Sequence, residues 1–308
     1  MSENNEKWVF IINPHAGNGA AKSVIPQLEE KLTANSLNAE LVYTEKPGHA
    51  TVLAKEFAER GYKYIIGVGG DGTLNEMTVS LINYPGIVTG LIPAGTGNDF
   101  IQILGFHDRL DASQWEVFFE KNIIKMDVGF CNGKVFLNGM GLGFDAQVAA
   151  ENYVEPGLVK QGGKNKYVWH ILKNLFFYKE KMMTIHNGNE ILKRKCFINT
   201  IANGRRFAGA FYLTPKAIAN DGLLDVCAIE KLNLFKRLNI LMRVPKGTHI
   251  TDKKINYFQA ENFILEFNQT MPFHLDGELN HASKFEVSVK PEAISIIYNP
   301  KGNHYFKA

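Results

Sequence analysis

With 308 residues the chain has room for two domains, each able to bury a core of its own. Hydrophobic residues at 45% and charged residues at 21% exclude a disordered chain or a fibrous repeat, and a formal net charge of +3 is too small to signal a nucleic-acid partner. Three scattered cysteines, Cys131, Cys196 and Cys227, with no CxxC, argue against a disulfide framework or a zinc site and suit a reducing cytoplasm. The polar start MSENNEKW does not resemble an export signal. The most apolar stretch, around Trp169 to Tyr178, is interrupted by Lys and Asn and falls short of the roughly 20 residues a spanning helix needs. Any membrane contact is therefore expected to be peripheral.

In chain order, WVFIIN at Trp8 to Asn13 reads as a buried strand, and Val24, Ile25, Leu28 and Leu32 give Lys22 to Thr33 a helical spacing. A strand at Ala39 to Tyr43, a helix from about His49 to Glu59, a strand at Tyr64 to Val68, a helix at Leu74 to Ile82 and a strand at Val88 to Pro93 follow. Strand and helix in alternation predict an α/β domain with a parallel sheet. Past about Met126 the pattern changes to KVFLNGMG, CFINTIANG, LLDVCAI, NFILEFN, KFEVSVK and AISIIYN, broken mainly by helix candidates near Tyr167 to Tyr178 and Leu232 to Arg243. Strands without intervening helices predict antiparallel pairing and an all-β second domain. The expected division is 1–126 for the α/β domain, joined by 292–308, with 127–291 as the β-rich domain.

Gly69-Gly70-Asp71-Gly72-Thr73-Leu74-Asn75-Glu76 lies between a predicted strand and a predicted helix, where glycines permit a tight turn and helix N–H groups favour an anion. Two more loops end strands of the same sheet, Asn13-Pro14-His15-Ala16-Gly17-Asn18-Gly19 and Pro93-Ala94-Gly95-Thr96-Gly97-Asn98-Asp99. Ligands of open α/β sheets bind beyond the carboxyl ends of the strands, so the three loops point to one site. A Walker loop GxxxxGK[ST] is absent, and no GxGxxG follows the first strand. Late in the chain Leu275-Asp276-Gly277-Glu278 sets two carboxylates beside a glycine, a pattern that taken alone reads first as a hairpin turn and second as acid-base machinery. His15, His49 and His274 have no HxH or HxxxH spacing and are assigned no metal or catalytic role.

Seven motifs in this order resemble the superfamily of diacylglycerol, sphingosine and NAD kinases, and within it the bacterial soluble lipid kinases: NPHAGNG at Asn13, Thr44 with Gly48-His49-Ala50, GGDGTLNE at Gly69, PAGTGNDF at Pro93, MDVG around Asp127, NDGLLDV at Asn220 and HLDGE at His274. The resemblance implies an α/β nucleotide-binding domain, a C-terminal β-sandwich domain and an active-site cleft between them. It implies ATP as phosphoryl donor, Mg²⁺, a hydroxylated lipid of the diacylglycerol type as acceptor, peripheral contact with the inner face of the membrane, and room for a homodimer. Carried over by position, Asn13, Pro14, His15, Ala16, Gly17, Thr44, Gly70, Asp71, Gly72, Thr73, Leu74, Asn75, Glu76 and Thr96 would hold ATP, with Asp71 near the phosphates and their metal. Glu278 matches the catalytic base and Asp276 its partner. Asp221 by its side chain, with Ile218 and Leu223 by their carbonyls, matches a structural Mg²⁺ loop, and Asp127 a water network. An NAD kinase is the alternative within the superfamily, disfavoured by Asn75-Glu76 directly after GGDGT and by the late LDGE. A nucleotide-binding regulator without catalysis is the alternative outside the enzymes, disfavoured by the presence of Asp71, Asp276 and Glu278. Between Lys160 and Lys181, Lys164, Lys166, Lys173, Lys179 and Lys181 interleave with Tyr167, Trp169, Ile171, Leu172, Leu175, Phe176, Phe177 and Tyr178, a mixture suited to a helix at an anionic membrane surface. Were that helix instead a packing element, Trp169 would be buried.

Overall fold

The computed structural model describes residues 6–152, 169, 173–188 and 190–307, so Lys164, Lys166, Tyr167, Ile171 and Leu172 of the basic-aromatic segment lie outside the described residues. The chain forms two units. The first comprises Met1–Val128, Ala219–Asp221 and Lys290–Ala308, and the second Gly129–Ile218 and Gly222–Val289. The three-residue return at Ala219–Asp221 has no counterpart in the sequence-based division. It is held by backbone pairing inside the first unit, from the Asp127 amide to the Ala219 carbonyl at 2.9 Å and from the Ala219 amide to the Tyr305 carbonyl at 2.9 Å.

In the first unit the order is β1 (Trp8–Ile12), α1 (Ala20–Ala34), β2 (Ala39–Tyr43), α2 (His49–Glu59), β3 (Tyr64–Gly69), α3 (Asp71–Leu81), β4 (Val88–Pro93) and α4 (Ala112–Phe119). The sheet order is β2-β1-β3-β4, and every pair is parallel. β1 is central and wholly buried, which is why it reads as an unbroken apolar run rather than an alternating one. Successive side chains still go to opposite faces. Val9, Ile11 and Ile65 join Phe57 of α2 and Met77 and Leu81 of α3 in one core. On the other face Trp8 stacks on Tyr64 with ring centres 3.9 Å apart and meets Phe119 of α4. An ion pair from Lys31 of α1 to Glu116 joins α1 to α4 on that side. Sequence reading assigned α4 no element, yet its start is well specified: Asp111 accepts the Ser113 and Gln114 amides at 2.9 and 3.0 Å, an N-cap that satisfies two of the orphan donors of a helix start.

The second unit holds the end of β5 (Ile123–Cys131), then β6 (Lys134–Phe136), β7 (Gly139–Gly143), α5 (Phe144–Asn152), helical residues 173–177, β8 (Lys181–Asn187), β9 (Glu190–Ala202), β10 (Leu224–Glu230), α6 (Leu234–Arg243), β11 (Ile255–Ala260), β12 (Asn262–Leu275) and the start of β13 (Glu278–Ile297). Its strands pair antiparallel, β11-β10-β9-β7-β12-β13, with β8 bridging β9 and β12. The period of two sorts residues into two cores. β10 sends Leu224 and Val226 to a core with Phe136, Leu265 and Phe285, and Cys227 and Ile229 to another with Phe144, Tyr178, Phe197 and Ile240. KFEVSVK and AISIIYN, expected as two strands, are one strand of 20 residues that runs through Pro291 and a left-handed Glu292 at φ 49°. Its far end returns to the first unit, where Ser295 and Ile296 pair in parallel with Val88 and Thr89 of β4.

His249 is fully buried in the second unit, with Nε2 3.2 Å from the Leu213 carbonyl and 3.6 Å from Cys227 Sγ. Burial penalises its charged form and lowers its pKa from 6.5 to about 4, an effect that exceeds the opposing hydrogen bond to Leu213. The unfolded chain therefore binds the extra proton between these values, so stability present above the unfolded pKa is lost as pH falls towards the folded one. Going from about pH 7 to about pH 5 should cost the wild type about 2 kcal/mol through this residue. Denaturant titrations at both pH values should show that loss reduced in His249→Gln; an equal loss in the variant would assign the pH dependence to other groups.

Candidate active site

The chain leaves β1 towards β2 on one side and returns to β3 on the other, so the carboxyl ends of β1 and β3 flank the point where the strand order reverses. There α1 and α3 leave the sheet in opposite directions, the position at which open α/β sheets bind their ligands. The Asn13–Gly19, Gly69–Glu76 and Pro93–Phe100 turns all stand at this edge, with Thr44 beside them, its amide 2.9 Å from the Ile12 carbonyl.

These turns touch backbone to backbone. A Cβ on Gly17 would lie 2.2 Å from the Ala94 oxygen, and Gly17 has φ +59°; a Cβ on Gly95 would lie 2.5 Å from the Gly70 Cα. Only glycine permits either approach. Side chains then lock the arrangement. Asn13 Oδ1 accepts the His15 amide at 3.1 Å while its Nδ2 donates to Thr73 Oγ1 at 3.3 Å, linking the first turn to the second. Asp71, the first residue of α3, accepts the Asp99 amide at 2.8 Å and the Phe100 amide at 3.1 Å, linking the second turn to the third. Asp71 therefore acts on the cradle by shaping it, in addition to placing charge there.

Other residues of the expected nucleotide set divide by exposure. His15, Gly72 and Thr96 are exposed and Pro14, Ala16 and Asn75 half-buried, whereas Thr73 and Leu74 are buried. Leu74 turns fully into the core, so its part is packing beneath the turn. Glu76 reaches the neighbouring helix: its Oε2 accepts the Ala50 amide at 3.2 Å and its carbonyl accepts the Thr51 hydroxyl at 2.8 Å. Because Gly48 cannot cap α2 with a side chain, Glu76 does so and fixes α2 against α3. Arg109, which no motif singled out, donates from Nη2 to the Gly95 carbonyl at 2.9 Å and adds a cation to the third turn. No spacing rule marks such a residue, because it lies ten residues past the glycine motif.

Leu275-Asp276-Gly277-Glu278 is the two-residue turn between β12 and β13, with Leu275 paired to Glu278 and both central residues at positive φ, 46° and 91°. This is the type I′ geometry that Asp-Gly favours. Asp276 is also an anchor: Oδ1 accepts the Asn138 and Gly139 amides at 3.0 and 2.8 Å, and Oδ2 the Leu137 amide at 2.6 Å. Three charge-assisted bonds and its own amide to the Gly139 carbonyl fasten the hairpin tip to the start of β7. Glu278 is exposed at the first position of β13. Beside it His274 Nε2 lies 3.3 Å from Asp145 Oδ2, and a Cβ on Gly141 would collide with both groups. His49 Nδ1 accepts the Glu45 amide at 3.0 Å. Among the described residues no three His, Cys, Asp or Glu side chains cluster as a metal site.

In the loop before β10, Asn220 exchanges side-chain hydrogen bonds with the Lys307 backbone at 2.7 and 3.4 Å, and Gly222 has φ +76°. Asp221 belongs to the first unit, Ile218 and Leu223 to the second. A carboxylate and main-chain carbonyls are hard oxygen donors of the kind Mg²⁺ takes. Past the loop, fully buried Asp225 accepts Tyr257 Oη at 2.6 Å and Gln259 Nε2 at 3.1 Å, and burial followed by the Asp225 charge pushes the Tyr257 hydroxyl pKa up. Asp127, also fully buried, accepts the Glu292 amide at 2.8 Å.

Two substitutions test this geometry. Asp276→Asn removes the charge from three hydrogen bonds and sets an amide donor against the Leu137 N–H where Oδ2 accepted it, so the apo protein should lose about 1–3 kcal/mol in denaturant unfolding. An unchanged midpoint would remove the anchoring role. Gly17→Ala should leave the second unit folded but weaken ATP binding about tenfold or more, because the first and third turns must part; calorimetric ATP titration with wild-type affinity would contradict the close-packed cradle.

Comparison with known proteins gives the arrangement a family. Residues 7–131 match the model for the diacylglycerol kinase catalytic domain, and residues 138–298 match that for the YegS C-terminal NAD kinase beta sandwich-like domain. A diacylglycerol kinase of Staphylococcus saprophyticus is 28% identical over 271 residues, covering 87% of this chain and 88% of its own. One from Bacillus subtilis is 28% identical over 275 residues with the same coverage. A solved diacylglycerol kinase structure from Bacillus anthracis strain Sterne superposes with a TM-score of 0.72 at 21% identity over 97% of this chain and 99% of the other, a likeness of fold. The chain belongs to the diacylglycerol kinase family of two-domain lipid kinases, ATP-using phosphotransferases with an α/β catalytic domain and a β-sandwich-like C-terminal domain.

Proposed function

We propose that this enzyme transfers the γ-phosphoryl group of Mg²⁺-ATP to the free hydroxyl of diacylglycerol, giving phosphatidic acid, as a cytoplasmic protein in peripheral contact with the inner face of the membrane. The observation that carries the nucleotide half of the reading is the backbone contact of three glycine turns at the sheet edge. A diphosphate or triphosphate chain suits such a turn cluster because N–H groups, including those at the start of α3, can approach it with no side chain between. The acceptor half is supported by the names of the curated relatives, which are diacylglycerol kinases at 28% identity.

The chemistry asks little of the protein beyond position and charge. The acceptor hydroxyl oxygen forms a bond to the γ-phosphorus, the bond to the ADP oxygen breaks, and the hydroxyl proton passes to a base. Glu278 fits the base: it is exposed at the mouth of a turn whose shape Asp276 holds rigid. Asp71 holds the Asp99–Phe100 turn, and Arg109 offers a cation beside Gly95. Bound Mg²⁺ would neutralise phosphate charge near Asp71, and a second, structural ion would be held by Asp221 with Ile218 and Leu223.

Glu278→Gln preserves shape but removes the proton acceptor, so ATP affinity should hold within about twofold while turnover falls about 10²- to 10⁴-fold. Wild-type turnover in a folded Glu278→Gln protein would remove the base from this position. For the structural ion, melting is followed with and without Mg²⁺ in the absence of ATP. Wild type should rise with the metal, whereas Asp221→Ala should not; an equal rise in both would place the ion elsewhere.

A further inference from the structure

A surface helix ordinarily turns polar side chains outward. α6 does not. Phe235, Leu238 and Met242 are 83%, 40% and 70% exposed, while Arg237 and Ile240 form its buried side. The three apolar residues stand at i, i+3 and i+7, within about 60° of one another around the axis. Arg237 explains how a second apolar element is held beside them. Its guanidinium donates to the Leu175 carbonyl at 2.5 Å, the Tyr178 carbonyl at 2.9 Å and Glu180 Oε1 at 2.7 Å. The helical residues 173–177 are thereby fixed against α6, with Leu175 inward and Phe176 and Phe177 outward at 56% and 77% exposure. Trp169, which a purely packing helix would bury, is also exposed. So many large apolar side chains facing solvent mark an interaction surface.

The surrounding charge identifies what fits it. From Lys231 to Lys246 the sequence carries Lys231, Lys236, Arg237, Arg243 and Lys246 and no acidic residue. Arg237 is buried against Glu180, and Asp252 lies 4.0 Å from Lys236 and 3.8 Å from Arg243, so these ion pairs set two carboxylates against five cations. At the start of α6 a cleft of about 440 Å³ is lined by Lys193, Arg194, Lys195, Lys231 and Lys254, with Glu230 shared between Arg194 and Lys254. An apolar stripe with a basic flank suits a surface that is apolar within and anionic at its rim. A second copy docking by the same face would set these cations against each other.

We propose that α6 and residues 173–177 form the face by which this protein docks on an anionic lipid bilayer. Phe235, Leu238, Met242, Phe176 and Phe177 enter the boundary between headgroups and acyl chains, and the basic cleft meets anionic headgroup phosphates. The inference deepens the lipid-kinase reading and rests on it for its purpose, since a lipid acceptor must be met at a bilayer.

The test is sedimentation with vesicles of phosphatidylcholine and phosphatidylglycerol, or of phosphatidylcholine alone, with oligomeric state followed by sedimentation equilibrium. Wild type should prefer the anionic vesicles. Phe235→Ser with Met242→Ser should weaken that binding about tenfold or more. Lys231→Gln with Lys246→Gln should weaken it about fivefold per charge and reduce the preference for anionic lipid. Both double variants should phosphorylate a water-soluble short-chain diacylglycerol as wild type does. Vesicle binding needs no turnover, so loss of binding in the variants supports docking even if wild type fails to phosphorylate that lipid, a failure that would count against the proposed reaction alone. Equal vesicle binding by wild type and the Phe235/Met242 variant would overturn the proposal. So would a variant that turns a dimer into a monomer while vesicle binding is unchanged, which would assign the stripe to a second copy of the chain.

Discussion

Two backbone amides, of Asp99 and Phe100, converge on the Asp71 carboxylate, and the distance this sets between the second and third turns governs what the first unit can hold. Were the turns farther apart, the N–H groups at this edge could not act on one phosphate chain; were Gly17 or Gly95 any other residue, the turns could not come this close. The parallel sheet beneath serves that end. Its buried β1 and β3 bring the loops to one edge, and the Glu76 bond to the start of α2 keeps the neighbouring helices from sliding. Fold and site are thus coupled through a few charge-assisted bonds to backbone, the strong class of hydrogen bond in a protein.

The second unit uses the same device for a different purpose. Asp276 gathers three amides from Leu137 to Gly139, so the tip of the β12–β13 hairpin cannot move independently of β7. That leaves Glu278 as the exposed carboxylate of the pair. Two acidic residues two positions apart thus differ in setting: one holds the turn, and the other stands exposed at the start of β13.

Much of this was legible in the sequence, for reasons that can be named. Glycine and asparagine punctuate the turns where φ is positive, at Gly17, Asn18, Gly19 and Asn98, or where backbones meet, at Gly17 and Gly95, so the loops stood out between strands of regular period. The Asp-Gly hairpin at 276–277 was legible on the same ground. What escaped notice depends on partners distant in sequence. The anchor of Asp276 joins residues more than a hundred positions apart, Arg109 reaches Gly95 across a fold in the chain, and Ala219–Asp221 is joined to the rest of the first unit through backbone bonds of Ala219 to Asp127 and Tyr305. KFEVSVK and AISIIYN read as two strands, but Glu292 takes a left-handed conformation between them and β13 continues. The outward apolar face of α6 was hidden as well, since a helical period reveals that a stripe exists but not which way it faces. No helix among the described residues is long and apolar enough to cross a membrane.

The central claim is that a phosphate bound at the glycine turns is passed to a diacylglycerol hydroxyl. The most direct measurement incubates the protein with ATP, Mg²⁺ and a mixed panel of diacylglycerol, phosphatidylglycerol, ceramide and NAD, and identifies the phosphorylated product by mass. The account predicts phosphatidic acid as the main product, dependent on ATP and on Glu278. Phosphate found on NAD, or ATP bound with no lipid phosphorylated, would contradict it.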